Sequence, residues 1–181
     1  MKVFFREIVI TLALALIIFF AVQSTVQTFV VVYSSMEPNF QEGQRLLVNK
    51  VGYFFGAPSR GDVIIFKAPG NRKGDFIKRV IGLPGDTVEV KSGGVYINGK
   101  RLSEPYIKDP PAYTLAPQKI PADNYFVLGD NRNNSDDSHA GFLVTRDSII
   151  GKAWLSTWPP AKWGLVLNYP LKDQLTTSLA R

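Results

Sequence analysis

Gly74-Asp75-Phe76-Ile77-Lys78-Arg79-Val80-Ile81-Gly82-Leu83-Pro84-Gly85-Asp86 reads as one β-strand running into a turn. Phe, Ile and Val suit a pleated, half-buried surface, and Pro84-Gly85-Asp86 has turn chemistry. Side chains alternate along a strand, so Lys78 shares a face with Phe76 and Val80, while Arg79 shares the other with Ile77 and Ile81. One basic group therefore falls among apolar neighbours, and periodicity leaves open which one. On pattern alone both cations belong on solvated faces, because Lys and Arg are rarely buried unpaired.

Runs of the same kind recur on either side: Arg45–Asn49, Asp62–Lys67, Thr87–Val90, Val95–Ile97, Tyr125–Leu128 and Ser148–Leu155. With the strand Phe76–Gly82 they predict a mainly β domain. Asn98-Gly99 is a two-residue hairpin signal, since both residues tolerate the positive φ of a type I′ turn, and Gly85-Asp86 and Gly93-Gly94 mark further turns. Ser103 to Pro121 carries five prolines and reads as a long irregular connection. The residues after Leu171 read as a loose tail.

Upstream, Ile8 to Val22 is uncharged and apolar, and apolar character resumes at Phe29 to Tyr33. A bilayer core needs about twenty helical residues, so the stretch predicts a single transmembrane helix if Gln23 to Thr25 reach the interface. Lys2 and Arg6 precede it, which predicts a cytoplasmic amino terminus and an extracytoplasmic domain. Val22 and Ser24 make a poor cleavage site, so the segment reads as an anchor that is kept. The expected organisation is residues 1–33 as amino terminus and anchor, 34–171 as the β-rich catalytic domain, and 172–181 as the tail.

The 181 residues are 45% hydrophobic and 12% aromatic, a folded composition with room for one soluble domain beside the anchor. The formal charge of +6 suits an anionic surface. Its basic residues are scattered, with no patch or groove-reading motif, which favours a lipid bilayer and no nucleic acid as partner. With no cysteine and one histidine, disulfides, thiol catalysis and Cys-based zinc sites are excluded. No metal or organic cofactor is expected.

Two further segments carry possible chemistry. Ser34-Ser35-Met36-Glu37-Pro38 lies just beyond the apolar stretch, and taken alone is an ordinary turn. Gly129-Asp130-Asn131-Arg132-Asn133-Asn134-Ser135-Asp136-Asp137-Ser138-His139 follows the strand Tyr125–Leu128, and composition alone makes it a polar loop. Taken together and in order, Ser35-Met36-x-Pro38, Arg60-Gly61-Asp62-Val63, Lys78 to Asp86, and Gly129-Asp130-Asn131-Arg132 with Ser135, Asp137 and Ser138 strongly resemble type I signal peptidase (leader peptidase). The likeness runs from the anchor to about Trp158.

The resemblance implies a largely antiparallel β fold on the outer membrane surface. It implies a membrane-bound serine endopeptidase that removes signal peptides from secretory preproteins with small residues at −1 and −3. By the same resemblance Ser35 is the nucleophile, Lys78 the general base and Ser135 the group that orients the lysine amine, while Asp137 and Arg132 brace the loop. The Ser35 backbone N–H is available to an oxyanion. Tyr33 stands where the family has serine or glycine, so the second donor is unassigned. His139 replaces a frequent arginine, which weakens a pairing with Asp137.

A serine hydroxyl needs a neighbouring base, and a lysine serves only when neutral. Burial favours the neutral amine, and lowering a lysine from about 10.4 to about 8 corresponds to roughly 3 kcal/mol. Phe76 and Val80 are suitable desolvating neighbours. A Ser-His-Asp triad through His139 is the rival, but no G-x-S-x-G elbow surrounds Ser35. Ser-x-x-Lys is absent, and a span stands where a repressor would carry its helix-turn-helix. An inactive anchored β-domain is the non-enzymatic alternative. Phe54, Phe55, Trp154, Trp158 and Trp163 are individually core candidates and collectively a candidate lipid-facing edge.

Overall fold

The structure is a computed structural model and describes residues 2–169, 171 and 173–176. Its first element is α1 (Lys2–Thr25), within which Phe4–Thr25 is long and apolar enough to cross a membrane. At 1.5 Å per residue its 24 residues extend about 36 Å.

The chain leaves the helix directly into β1 (Val26–Val30), which pairs antiparallel with β2 (Arg45–Asn49), Val26 opposite Asn49 and Val30 opposite Arg45. Residues 26–30 thus lie in the sheet, although the sequence reading grouped them with the anchor. The β-branched composition of Thr25 to Val32 suits a strand better than a helix. Phe29 packs against the core formed by Val31, Met36, Leu46 and Val48.

Beyond these come β3 (Val63–Lys67), β4 (Asp75–Gly82), β5 (Thr87–Lys91), β6 (Gly94–Ile97) and β7 (Lys100–Arg101), followed by β8 (Leu115–Lys119), β9 (Asn124–Leu128) and β10 (Val144–Thr145), then β11 (Ile149–Trp158) and β12 (Gly164–Leu165). The larger sheet runs β1-β2-β11-β3-β4-β9-β10, with β12 on β11, and the smaller runs β7-β6-β5-β8. Adjacent strands throughout are antiparallel. The predicted mainly β, antiparallel class with one apolar amino-terminal helix is what is observed. Asn98 and Gly99 turn the β6–β7 hairpin at φ 51° and 80°.

The central strands are buried on both faces, which explains their almost continuous apolar runs. Val63 and Ile65 enter one core with Ile77, while Ile64 and Phe66 enter another with Val80. Phe126 and Leu128 of β9 join Ile81 and the small sheet in a third. Gly82 is required where the two sheets meet, since a Cβ there would stand 2.6 Å from Val88 Cγ2.

Two segments are more ordered than their composition suggested. β8 lies inside the predicted irregular connection and holds Pro117, which is tolerated because β8 is an edge strand. After Leu171, itself buried, α2 (Asp173–Thr176) docks on the small sheet. Gln174 Nε2 donates to Ser103 O at 3.0 Å, and its Oε1 accepts from Ser103 N at 2.8 Å. Residues 172 and 177–181, the rest of the expected tail, lie outside the described residues.

Candidate active site

Ser35 sits in a 3-10 turn, Ser34–Met36, placed where β1 ends. Met36 is fully buried and pins the turn to the core beside Val31. The 129–134 loop holds it from the other side. Asn131 N donates to Ser35 O at 3.0 Å, Asn131 Nδ2 to Ser34 O at 3.1 Å, and Asn134 Nδ2 to Ser34 Oγ at 2.9 Å. The Ser35 carbonyl is therefore occupied while its hydroxyl faces the cleft.

β4 brings Lys78 to that hydroxyl. Its Nζ lies 2.7 Å from Ser35 Oγ and donates to Ile77 O at 3.0 Å. The amine stands 5.2 Å from the Phe76 ring centre, on the face shared with Val80 as alternation predicted. Lys78 is only 4% exposed, and this burial lowers its pKa to about 8 against the opposing charges of Asp137, Asp136 and Asp130. When the amine is neutral the contact reverses, and the Ser35 O–H donates to the Nζ lone pair.

Arg79 is buried as well, so the expected solvated faces are found for neither cation. Its guanidinium is bidentate to Asp130, Nε to Oδ1 at 2.9 Å and Nη2 to Oδ2 at 2.7 Å, and lies 4.4 Å from the Tyr106 ring centre. Planar two-point pairing of this kind is what makes a buried guanidinium tolerable. Arg60 pairs with Asp86 at 2.8 Å and Asp62 with Lys152 at 2.6 Å, so the Arg60-Gly61-Asp62 motif serves the frame.

The remaining predicted residues lie around the same loop. Ser135 lines the cleft with Ser35 and Lys78, but its buried Oγ has no hydrogen-bond partner. The amine is held by the Ile77 carbonyl instead. Arg132 and Asp137 do not pair with each other; they grip the two ends of one residue, Arg132 Nε donating to Gly129 O at 3.0 Å and Asp137 Oδ2 accepting from Gly129 N at 2.8 Å. Glu104, which the sequence reading did not single out, completes the Arg132 fork at 2.6 and 2.8 Å. It lies 28 positions away, and no local pattern announces it.

His139 does pair with Asp137, Nδ1 to Oδ1 at 2.7 Å, and stacks on Tyr113 with 4.2 Å between ring centres. The hydrogen bond to Asp137 raises its pKa. No hydrogen bond joins it to Ser35 among the described residues, and Ser35 is already engaged by Lys78, so the triad arrangement is not formed. Tyr33 is exposed at the cleft mouth and makes no side-chain hydrogen bond to the turn. The cleft measures about 900 Å³, with Phe29, Val32, Phe76 and Ile77 supplying apolar wall beside the polar pair. Among the described residues no group of three or more His, Asp or Glu side chains is placed to hold a metal ion.

The family model described as signal peptidase, peptidase S26, matches residues 3–158, a range holding both Ser35 and Lys78. The chain belongs to this signal peptidase family. A probable signal peptidase I-2 of Synechocystis sp. is 47% identical over 140 residues, covering 75% of this chain and 64% of that protein. The chain thus spans just under two thirds of that relative's length. Signal peptidase IB of Staphylococcus aureus (strain COL) is 38% identical over 178 residues, with 88% of this chain and 92% of that protein covered. A signal peptidase I crystal structure from Enterococcus faecalis V583 shares 36% identity over 54% of this chain and 97% of that one, with a TM-score of 0.45. The family match reaches from the apolar helix to Trp158 at the end of β11, so helix and sheet are both within it.

Proposed function

We propose that this chain is a membrane-anchored serine endopeptidase that removes amino-terminal signal peptides from secretory preproteins, with Ser35 as nucleophile and Lys78 as general base. The observation that carries the reading is the 2.7 Å contact between Lys78 Nζ and Ser35 Oγ, in a site where burial brings the lysine down to about 8. Membership of the signal peptidase family supports the substrate class.

The neutral Lys78 amine takes the Ser35 proton as Oγ attacks the carbonyl preceding the scissile bond, and the Ser35 N–H receives the developing oxyanion. The resulting ammonium then protonates the leaving amine. Water deacylates the enzyme, giving its proton to the same lysine. Ser135, whose hydroxyl has no partner, is the group that steadies the amine once substrate fills the cleft. Arg132 and Asp137 brace Gly129 beside it. Substrates with small residues at −1 and −3 suit the confined apolar wall, because overfilling a packed site costs on the order of 1–3 kcal/mol.

In this reading α1 anchors the chain with its amino terminus in the cytoplasm and the catalytic domain, residues 34–171 with β1, on the other side of the membrane. Arg6, paired with Glu7 at 3.2 Å, lies in the amino-terminal turns of the helix; the side chain of Lys2 lies outside the described residues. Phe54 and Phe55 are almost fully exposed, 80% and 91%, in the segment that follows Lys50, whose N–H bonds the helix-end carbonyl of Thr25. That position suits contact with lipid.

The test is to incubate detergent-solubilised protein with a secretory preprotein and sequence the product's new amino terminus. Cleavage after a small residue at the end of the signal peptide is expected. No cleavage by folded protein above pH 8 would overturn the reading.

A further inference from the structure

The turn between β3 and β4, residues 68–74, lines one side of the cleft and has no part in the proton transfers described above. Its Arg72 grips Asp136 with both arms of the guanidinium, Nε to Oδ2 at 2.6 Å and Nη2 to Oδ1 at 3.1 Å. The same guanidinium lies 4.7 Å from the Phe142 ring centre. Asp136 directly follows Ser135, and Arg72, Asp136, Ser35 and Lys78 all line one cleft. Among the described residues, the Arg72–Asp136 pair supplies every side-chain hydrogen bond that residues 68–74 make. The turn is otherwise closed on itself by Ala68 N donating to Gly74 O at 3.1 Å.

We propose that Arg72 is a specificity-determining residue: by clasping Asp136 it fixes the β3–β4 turn against the loop that carries Ser135, and so sets the width of the cleft that receives the preprotein. This rests on the function proposed above. Half-exposed ion pairs are individually weak, so the clasp is a latch that an entering chain can strain but that still biases the cleft toward its narrow form. Stacking on Phe142 adds a second restraint on the guanidinium. Loss of the clasp frees the exposed part of the turn, Asn71 to Gly74, to swing away from the loop.

The pair also bears on Lys78. The Asp136 carboxylate favours the charged lysine, and Arg72 sits on that carboxylate. The other charges acting on the amine are those of Asp137, which pairs with His139, and Asp130, which pairs with Arg79, while Lys73 and Asp75 line the same cleft. Substitution at 136 also reaches His139, because the Asp136 carboxylate contributes to raising its pKa. Removing the carboxylate lowers the lysine pKa and carries the acid limb of activity to lower pH. Removing the guanidinium leaves the carboxylate unshielded and carries the limb to higher pH.

The experiment uses the full chain in detergent and two preproteins differing only by Ala or Leu at −1. Arg72→Ala and Asp136→Asn are each expected to lower the Ala-over-Leu ratio of kcat/KM by roughly two- to fivefold, with their acid limbs moving in opposite directions. Arg72→Asp combined with Asp136→Arg should restore the ratio. Wild-type discrimination in both single variants, or limbs that move together, would overturn the proposal. Failure of the wild-type chain to cut the Ala preprotein is a separate result, which removes the proposed function and this inference with it.

Discussion

Gly129 lies so close to Ser135 that a Cβ at 129 would stand 2.3 Å from Ser135 Oγ and 2.5 Å from the carbonyl oxygen of Ser35. The peptide cannot retreat, because Asp137 holds its N–H and Arg132 its carbonyl. Gly129→Ala is therefore expected to lose about 1–3 kcal/mol of stability, as overpacked sites do, and most of its turnover. Thermal unfolding and preprotein cleavage measured on the same sample check this; an unchanged melting point with full turnover would show that the loop yields.

Ser35 and Lys78 touch each other, and in the proposed mechanism they act in one step, so their losses should not add. Ser35→Ala and Lys78→Ala are each expected to lose on the order of 10³-fold or more in kcat, and the double variant little beyond either. Ser135→Ala should fall between these and wild type. His139→Ala should keep most activity, since its ring is engaged with Asp137 and Tyr113. A dead but folded His139→Ala enzyme beside an active Lys78→Ala enzyme would return the triad.

Activity should fall as pH drops through about 8, where Lys78 takes up its proton. The same burial makes Lys78 a cost to the fold. Below pH 8 the folded and unfolded chains both carry the ammonium and the penalty is fully present; it is relieved as pH rises from about 8 toward the ordinary lysine value of 10.5. Lys78→Met is consequently expected to be inactive yet more stable at pH 7, by up to about 3 kcal/mol, with the advantage gone above pH 10.5. Urea unfolding of both proteins at pH 7 and near pH 11 measures it, and equal stability at pH 7 would refute the desolvation account.

Arg79 and Asp130 are respectively 1% and 0% exposed in their side chains, so neither can fall back on water if the other is removed. Arg79→Leu leaves a buried carboxylate without its partner and should destabilise by about 3–5 kcal/mol. Asn39, whose Nδ2 donates to Asp130 Oδ2 at 2.8 Å, ties that carboxylate to the segment that follows Ser35, so activity should fall together with stability. Unfolding curves and turnover on the same preparations decide the matter. A stable variant with lost turnover would instead make Arg79 part of the chemistry.

Much of the fold was legible in the sequence because strand periodicity is local. The alternation around Lys78 grouped it with Phe76 and Val80, Asn98-Gly99 marked its hairpin, and the β-branched runs located the central strands within a few residues. What stayed hidden depended on partners far along the chain. β1 looked like the end of an anchor because Gln27 and Thr28 say little until β2 supplies the backbone hydrogen bonds, and β8 looked irregular because an edge strand can carry Pro117. Ser35 and Lys78 were named as a pair by order and resemblance. Only the tertiary structure brought them to 2.7 Å, left Ser135 without a partner and turned the amine toward Ile77 O. It also buried both cations of β4. Periodicity assigns a side chain to a face but cannot say what charge waits there, and Asp130, 51 residues from Arg79, is what makes that burial tolerable.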